Sequence, residues 1–97
     1  MNEQEKAFVI MRLPSTLSVF SGGKSQLLLN AETVEQLLEA LEQDYPQVWE
    51  QLCDEQRRVR KKIHMYASNR LITTPDDLEM PLKPGQEIIV LPASVEA

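Results

Sequence analysis

Residues that could carry nucleophilic or metal chemistry are few in this chain of 97 residues, which has one cysteine, Cys53, and one histidine, His64. A zinc site needs three or four ligands, which one residue of each type cannot supply. A nucleophilic cysteine needs a base within hydrogen-bond reach, and no spacing in the sequence brings these two together. Cys53 instead follows Leu52 in a predicted helical turn, where a thiol packs as a small apolar side chain. The sequence therefore predicts a protein that is not an enzyme and holds no metal or cofactor.

Half of the basic residues lie in one short run that begins at Arg57 and ends at Lys62. Such a run can bind nucleic acid, or it can flank a strand that docks a partner. This run lacks interleaved aromatic residues. The rest of the chain has five bases against fifteen acids, a net charge of −10 that repels nucleic acid and anionic membranes. We therefore expect a larger protein partner, with nucleic-acid binding through this run as the alternative.

The composition is that of a soluble globular domain, with 42% hydrophobic residues, 26% charged residues and a net charge of −5. A chain of this length forms one domain. The single cysteine cannot form an intramolecular disulfide, which favours a reducing compartment. The first six residues are too acidic for a signal peptide, and no apolar stretch approaches the ~18 residues that span a bilayer. We expect a cytoplasmic protein without a membrane segment.

A strand pair is predicted at the start of the chain, where it would support any surface that the sheet presents. Residues 7–13 are rich in β-forming side chains and end at a proline. Residues 25–30 form a second strand, antiparallel to the first. Residues 15–24 contain two consecutive glycines and several serines, which is typical of a loop.

The main helix is predicted to begin at Thr33. Thr33 and Gln36 have the capping-box spacing, in which each side chain bonds a free backbone N–H. The apolar residues that follow recur at the spacing of one helix face: Val34, Leu37, Leu38 and Leu41. Proline disfavours the α conformation in the residue before it, so Tyr45-Pro46 ends this helix. Pro46 can also open a short second helix, with three inward side chains, Val48, Trp49 and Leu52.

Three further strands are predicted in the second half of the chain. Within residues 59–67 alternate side chains face opposite sides of the sheet, with Ile63, Met65 and Ala67 toward the core and Lys62, His64 and Tyr66 outward. A Ser68-Asn69 turn leads to a short strand at 71–72. Residues 74–85 are rich in proline and form an irregular connection. The last strand, 87–91, stops at Pro92 and is apolar on both faces, as central strands are.

Together these elements predict an α+β domain of the β-grasp (ubiquitin-like) type over residues 7–92. It has a mixed sheet of about five strands packed on one main helix, with the last strand beside the first. We expect residues 1–6 to be a disordered tail and residues 93–97 to be a flexible C-terminal tail. The helix stripe packs on inward strand residues, namely Val9, Met11, Ile63, Met65, Ile88 and Val90.

Four ordered motifs lie between Arg12 and Ala93 and carry a family resemblance over about residues 7–97. They are Arg12-Leu-Pro-Ser-Thr-Leu17 with Gly22-Gly23, Thr33-Val-Glu-Gln-Leu-Leu-Glu-Ala-Leu41 with Tyr45-Pro46, Ile63-His-Met-Tyr-Ala-Ser-Asn69, and Pro84-Gly-Gln-Glu-Ile-Ile-Val-Leu-Pro-Ala93. In this order and spacing they resemble the MoaD/ThiS family of ubiquitin-like sulfur carrier proteins. The resemblance implies a β-grasp fold and a larger partner, either an E1-like adenylyltransferase or a sulfur-acceptor enzyme.

The resemblance also gives the C-terminal residues a role. In that family the chain ends in Gly-Gly, whose carboxylate is adenylated and then converted to a thiocarboxylate. This sequence has Glu96 and Ala97 at the matching positions, and burying a Glu carboxylate without a cationic partner is costly. We expect a tail that docks while carrier chemistry at Ala97 is inefficient. The alternative is a working sulfur carrier in molybdenum cofactor, thiamine or cysteine biosynthesis, such as the small subunit of molybdopterin synthase.

A partner-binding surface is predicted on the outward side of the sheet. An aromatic side chain exposed there indicates a contact surface, and the resemblance places the aromatic that matches Tyr66 on the partner-binding face. A lone exposed tyrosine is the simpler interpretation. The predicted partner-binding residues are Arg12, Lys62, His64 and Tyr66, followed by the strand end and tail, Pro92, Ala93, Ser94 and Val95.

Overall fold

Five strands and three short or medium helices follow one another along the chain. The structure is a computed structural model that describes residues 8–74 and 76–92. In chain order its elements are β1 Phe8–Arg12, α1 Ser15–Ser18, a 3-10 turn Val19–Ser21, β2 Gln26–Asn30, α2 Val34–Asp44, α3 Pro46–Leu52, β3 Ile63–Ala67, β4 Arg70–Leu71 and β5 Glu87–Pro92. The predicted tails at 1–6 and 93–97 lie outside the described residues.

The first and last strands lie side by side at the centre of the sheet, as predicted. The strand order is β2-β1-β5-β3-β4. β1 and β5 run parallel, and the other neighbours are antiparallel. This mixed five-stranded sheet, with α2 packed across it, confirms the predicted β-grasp fold.

The core lies between the sheet and α2, and its residues are those that the periodicity predicts. Val34, Leu37, Leu38 and Leu41 of α2 are all buried. The inward residues of the central strands meet them, and these are Val9, Met11, Ile63, Met65, Ile88 and Val90. Buried and exposed residues alternate along β1, β2 and most of β5. Among residues 8–74 and 76–92, no element covers the other side of the sheet.

The start of α2 carries a modified form of the predicted cap. The Gln36 backbone N–H donates to Thr33 Oγ1 at 3.2 Å. Gln36 Oε1 accepts the N–H of Glu32 at 2.9 Å rather than that of Thr33. Two free N–H groups are therefore satisfied as a capping box satisfies them, with the second bond moved one residue toward the N-terminus.

The expectation of a loop over residues 15–24 is wrong for residues 15–21, which form α1 and the 3-10 turn. The Pro14 carbonyl accepts the N–H groups of Leu17 and Ser18, which starts α1, and Leu17 is buried. Ser21 Oγ lies 2.8 Å from the Ser18 carbonyl and 2.7 Å from that of Lys24. Ser21 therefore stabilises the turn at the end of this segment through its bonds to two nearby carbonyls.

The prediction of a strand over residues 59–67 is too long, because β3 begins only at Ile63. Asp54 Oδ1 accepts the N–H groups of Gln56 and Arg58, and Arg57 adopts a positive φ of 64°. The bond from the Arg58 N–H is the main cause that lowers the pKa of Asp54. The basic run is therefore a loop shaped by an aspartate, not the start of a strand.

The hairpin after β3 has the predicted turn but a shifted second strand. Ser68 and Asn69 both have positive φ, 52° and 71°, as a two-residue hairpin turn of this kind requires. β4 is Arg70–Leu71 instead of residues 71–72. Ile72 is buried, and its N–H donates to the Met65 carbonyl. The last strand likewise extends one residue further than predicted, to Pro92.

Asp77 stabilises the irregular segment between β4 and β5 through hydrogen bonds to Thr73 and Arg70. Its Oδ2 accepts the Thr73 N–H at 2.9 Å and lies 3.0 Å from the Thr73 hydroxyl, and its Oδ1 accepts from Arg70 at 2.8 Å. These bonds, the Thr73 backbone bond first, lower the pKa of Asp77 against the opposing effect of its burial. The carboxylate therefore binds its proton less readily in the folded chain than in the unfolded one.

We expect the stabilising effect of Asp77 to be lost in acid. A depressed folded pKa contributes stability above the unfolded pKa of ~4, and this contribution disappears as the pH falls through the folded pKa. Asp77→Asn should therefore be less stable than the wild type at pH 7, and the two should converge as the pH falls through the lowered pKa of Asp77. Urea unfolding at several pH values measures this difference. A difference that stays constant from pH 7 into acid would contradict the prediction.

Candidate functional site

The side of the sheet that α2 does not cover is the candidate site, and we call it the outer face. It is formed by side chains of alternate residues on neighbouring strands. Many of them are apolar and yet exposed, which is unusual for a monomeric domain. The exposed apolar members are Phe8, Leu28, Leu71, Ile89 and Leu91.

A row of side chains crosses the outer face from β1 to β4. In the strand register Arg12 lies opposite Ile89, Ile89 lies opposite Tyr66, and Tyr66 lies opposite Leu71. Ile89 is 39% exposed and Leu71 is 40% exposed. Since side chains at opposed positions on one face contact one another, the row is a continuous apolar strip with a guanidinium at one end.

His64 extends this strip along β3. Its ring meets the ring of Tyr66 edge to face, with the centroids 6.1 Å apart and an angle of 89° between the planes. His64 also lies opposite Leu91, which is 45% exposed. An open groove of about 460 Å³ runs along the strip, and it is lined by Tyr66, Ser68, Asn69, Glu87, Ile89 and Leu91.

The Arg12 guanidinium is held in place by Glu87. Arg12 Nε donates to Glu87 Oε1 at 3.0 Å, and Nη2 donates to Oε2 at 3.2 Å. This paired contact raises the pKa of Arg12 and lowers that of Glu87. Both side chains remain nearly half exposed, so the pair adds little to stability. Its two-point geometry instead fixes a charged group at the edge of the strip.

Three of the four predicted surface residues, Arg12, His64 and Tyr66, meet on the outer face. Lys62 is exposed in the turn that precedes β3. Pro92 is the last residue of β5 and pairs with Ile63, so this end of the strand lies beside that turn. The other predicted residues, Ala93, Ser94, Val95, Glu96 and Ala97, lie outside the described residues.

Sequence reasoning missed the apolar partners of Tyr66. Ile89 and Leu91 alternate with the buried Ile88 and Val90 in one apolar run, and such a run is also typical of a strand covered on both faces. Within the part of the chain that the structure describes, one face of β5 is covered and the other is exposed. Tyr66, the outward aromatic residue of β3, could have indicated this exposure. An outward aromatic residue implies that the residues opposite it on the neighbouring strand are exposed as well.

The basic run is partly tied to the body of the protein. Arg57 Nη1 donates to Glu42 at 2.8 Å, and its guanidinium lies over the Trp49 ring, 5.6 Å from the centroid. Arg60 Nε donates to the Glu50 carbonyl at 3.1 Å. These contacts occupy two of the bases that a nucleic-acid surface would use, and they give the run a structural role.

Cys53 packs in the core, as the sequence predicts. Its side chain is buried, and this burial raises the pKa of the thiol to about 12. A thiol of this pKa is protonated at neutral pH and is a poor nucleophile. Over residues 8–74 and 76–92, no group of three or more metal-binding side chains comes together. In the same part of the chain, no helix combines the length and apolarity needed to cross a bilayer.

Comparisons with known proteins agree with this fold. The ThiS family model matches residues 11–94. The CysO protein of Mycobacterium tuberculosis superposes with a TM-score of 0.77 at 20% identity, over 89% of this chain and 99% of that one. A chain of the Amycolatopsis orientalis BexX/CysO complex superposes with a TM-score of 0.77 at 21% identity, over 92% of this chain and 99% of that one. The small archaeal modifier protein 1 of Methanosarcina acetivorans superposes with a TM-score of 0.73 at 25% identity, over 96% of this chain and 99% of that one. Among curated proteins, no sequence matches significantly.

Proposed function

Because this chain belongs to the ThiS family, we propose that it is a non-enzymatic cytoplasmic protein that docks on a larger partner enzyme through its outer face and the segment after β5. The observation that supports docking is the exposed apolar strip formed by Ile89, Tyr66 and Leu71. Exposed apolar surface of this extent on a small domain is typical of an interface. The partner is an E1-like adenylyltransferase or a sulfur-acceptor enzyme.

The arrangement of the strip fits the anatomy of a protein interface. Such interfaces have an apolar and aromatic centre and a polar rim. Here Tyr66 and Ile89 form the centre, while the paired Arg12 and Glu87 lie at one side. Because β5 is at the middle of the sheet and its described part ends at Pro92, a partner seated on the strip lies next to the end of this strand. One partner can therefore hold both surfaces at once.

Photocrosslinking in cells tests this docking proposal directly. A photoreactive amino acid at Ile89 should capture a larger enzyme, which mass spectrometry identifies as an adenylyltransferase or a sulfur-acceptor enzyme. The matched control is Val19, which is more exposed, at 67%, but lies in the 3-10 turn away from the outer face. Equal capture from the two positions, or capture only of unrelated proteins, would contradict the proposal.

The role of the last residues is a separate part of the proposal. We expect the 97-residue polypeptide to bind its partner while it accepts adenylate and sulfur inefficiently, because Glu96 places a charge where the partner's channel favours glycine. A variant with Glu96→Gly and Ala97→Gly should be activated faster. Pyrophosphate exchange measures the adenylation, and intact mass detects the thiocarboxylate.

The same assay distinguishes the alternative of a working sulfur carrier. If the unchanged polypeptide gains sulfur as fast as the double-glycine variant, the protein is a carrier of the kind used in molybdenum cofactor, thiamine or cysteine biosynthesis. The docking surface would then keep its role, because the crosslinking experiment does not depend on chemistry at the terminus.

A further inference from the structure

Among residues 8–74 and 76–92, the backbone groups on the outer edge of β2 bond to no other strand, and they point in a defined direction. The Ile10 N–H donates to the Gln86 carbonyl at 2.9 Å, and the Phe8 carbonyl accepts the Gly85 N–H at 2.7 Å. Even-numbered residues of β1 therefore bond toward β5, and odd-numbered residues bond toward β2. The Leu13 N–H, which donates to the Ser25 carbonyl at 2.8 Å, follows the same rule.

The register then determines which residues of β2 direct their backbone N–H and C=O groups away from β1. Val9 pairs with Leu29 and Met11 pairs with Leu27, and these pairs carry the bonds between the two strands. In an antiparallel pair the residues between the bonded ones direct their N–H and C=O groups to the opposite side. Those residues on β2 are Gln26, Leu28 and Asn30. Their backbone groups form a template for another strand.

This edge lacks the features that normally prevent strand addition. Proteins protect exposed edges with charged residues, prolines or bulges. The strand from Gln26 to Asn30 has no charge and no proline, and it pairs with β1 in unbroken register. Leu28 at its centre is 63% exposed. An uncharged, regular and apolar edge of this kind favours pairing with a further strand.

The sequence around the edge is complementary to itself when reversed. Residues 24–32 read Lys-Ser-Gln-Leu-Leu-Leu-Asn-Ala-Glu. When two copies of this segment are aligned antiparallel with Leu28 opposite Leu28, each leucine lies opposite a leucine. Gln26 then lies opposite Asn30, and the small Ser25 lies opposite Ala31. Lys24 comes opposite Glu32, and both are exposed. We propose that β2 pairs antiparallel with β2 of a second copy of this chain, centred on Leu28.

Backbone geometry and charge both support this register. Leu28 directs its N–H and C=O outward, so two copies of Leu28 form a hydrogen-bonded pair that exchanges both bonds. Gln26 and Asn30 form the same kind of pair on either side, with their amide side chains opposed. Lys24 and Glu32 lie just outside β2, and in this register they bring opposite charges to both ends of the paired strands, where cross-strand pairs of this kind are stabilising. To reach Glu32 of the second copy, Lys24 Nζ gives up its position over the Tyr45 ring, 5.8 Å from the centroid. If the pairing shifted by one residue, the residues with outward backbone groups would no longer lie opposite one another, and Lys24 would no longer lie opposite Glu32.

The dimer is a weak one that leaves the proposed docking surface open. An interface of two short strands buries less area than stable complexes do, and each copy carries a net charge of −5. We therefore expect a dissociation constant on the order of 10–100 µM. Edge pairing continues the sheet in its own plane, so both outer faces lie on the same side and remain accessible. The inference does not depend on the proposed function.

Charge exchange at the ends of the segment tests the dimer. Sedimentation velocity from about 1 µM to about 1 mM should show the wild type shifting from monomer to dimer. Lys24→Glu or Glu32→Lys alone should weaken the dimer about tenfold or more, because like charges then meet at both ends. The double variant should restore it. Lys61→Glu, which makes the same charge change in the turn before β3, across the sheet from β2, should have little effect.

Two results would overturn the proposal. One is a wild type that stays monomeric at about 1 mM, and the other is a double variant no better than the single ones. Crosslinking provides an independent measurement, since Cys53 is buried. Leu28→Cys should be joined rapidly by a short thiol-reactive crosslinker, and the exposed control Val19→Cys should not. Equal rates for the two would also count against pairing at this edge.

Discussion

Leu37→Ala should lower the free energy of unfolding by ~2–5 kcal/mol, the range seen when a buried leucine is truncated. Leu37 is fully buried in the stripe of α2 that packs on the sheet. In a domain of 97 residues this loss is a large share of the total stability. Urea unfolding followed by circular dichroism measures it.

The matched control for this prediction lies on the same helix. Glu39→Ala changes an exposed residue of α2 and should alter stability by less than about 0.5 kcal/mol. The loss of unfolding free energy caused by Leu38→Ala should fall at the lower end of the range expected for Leu37→Ala. Leu38 borders an open groove beside Arg58 and Leu78, so its surroundings can relax into the space. A small loss for Leu37 would mean that the stripe does not form the core.

Tyr66→Ala should weaken the complex with the partner enzyme by ~2 kcal/mol or more, about thirtyfold in the dissociation constant. Tyr66 lies at the centre of the outer-face strip, between Ile89 and Leu71 and against the His64 ring. Aromatic residues at the centre of an interface contribute most to affinity. Titration calorimetry with the purified E1-like or acceptor enzyme measures the change.

Phe20→Ala serves as the control for this second prediction. Phe20 is an aromatic residue of the 3-10 turn, 37% exposed and away from the outer face. Its truncation should leave the affinity unchanged within about a factor of two. If Tyr66→Ala bound as tightly as the wild type, or if both variants lost affinity alike, the outer face would not be the docking surface.

The elements with a strong period could be predicted from the sequence, while the loops could not. The stripe of α2 and the inward residues of β1, β3 and β5 repeat regularly, and all of them are buried. Residues 54–62 follow no period, because tertiary contacts set their path. The Val59 N–H donates to Thr74 Oγ1, fifteen residues away, at 2.8 Å. A single sequence window does not contain that partner.

The candidate site was predicted in part, for a related reason. Alternation along β3 identified His64 and Tyr66 as outward residues, and the structure places them so. The same rule could not assign Ile89 and Leu91, since every residue around them is apolar. Which face of a central strand is covered depends on where the helix lies, and that is a property of the whole fold.

The parallel pairing of β1 with β5 also determines how the domain responds to tension. Pulling the chain beyond Pro92 against the segment before Phe8 draws these two strands in opposite directions along their shared length, because parallel strands begin at the same end of a sheet. The evenly spaced hydrogen bonds between them then bear the force together, in shear, and do not open one after another. A force applied to the chain after β5 therefore meets this resistance in shear whenever the segment before Phe8 is held.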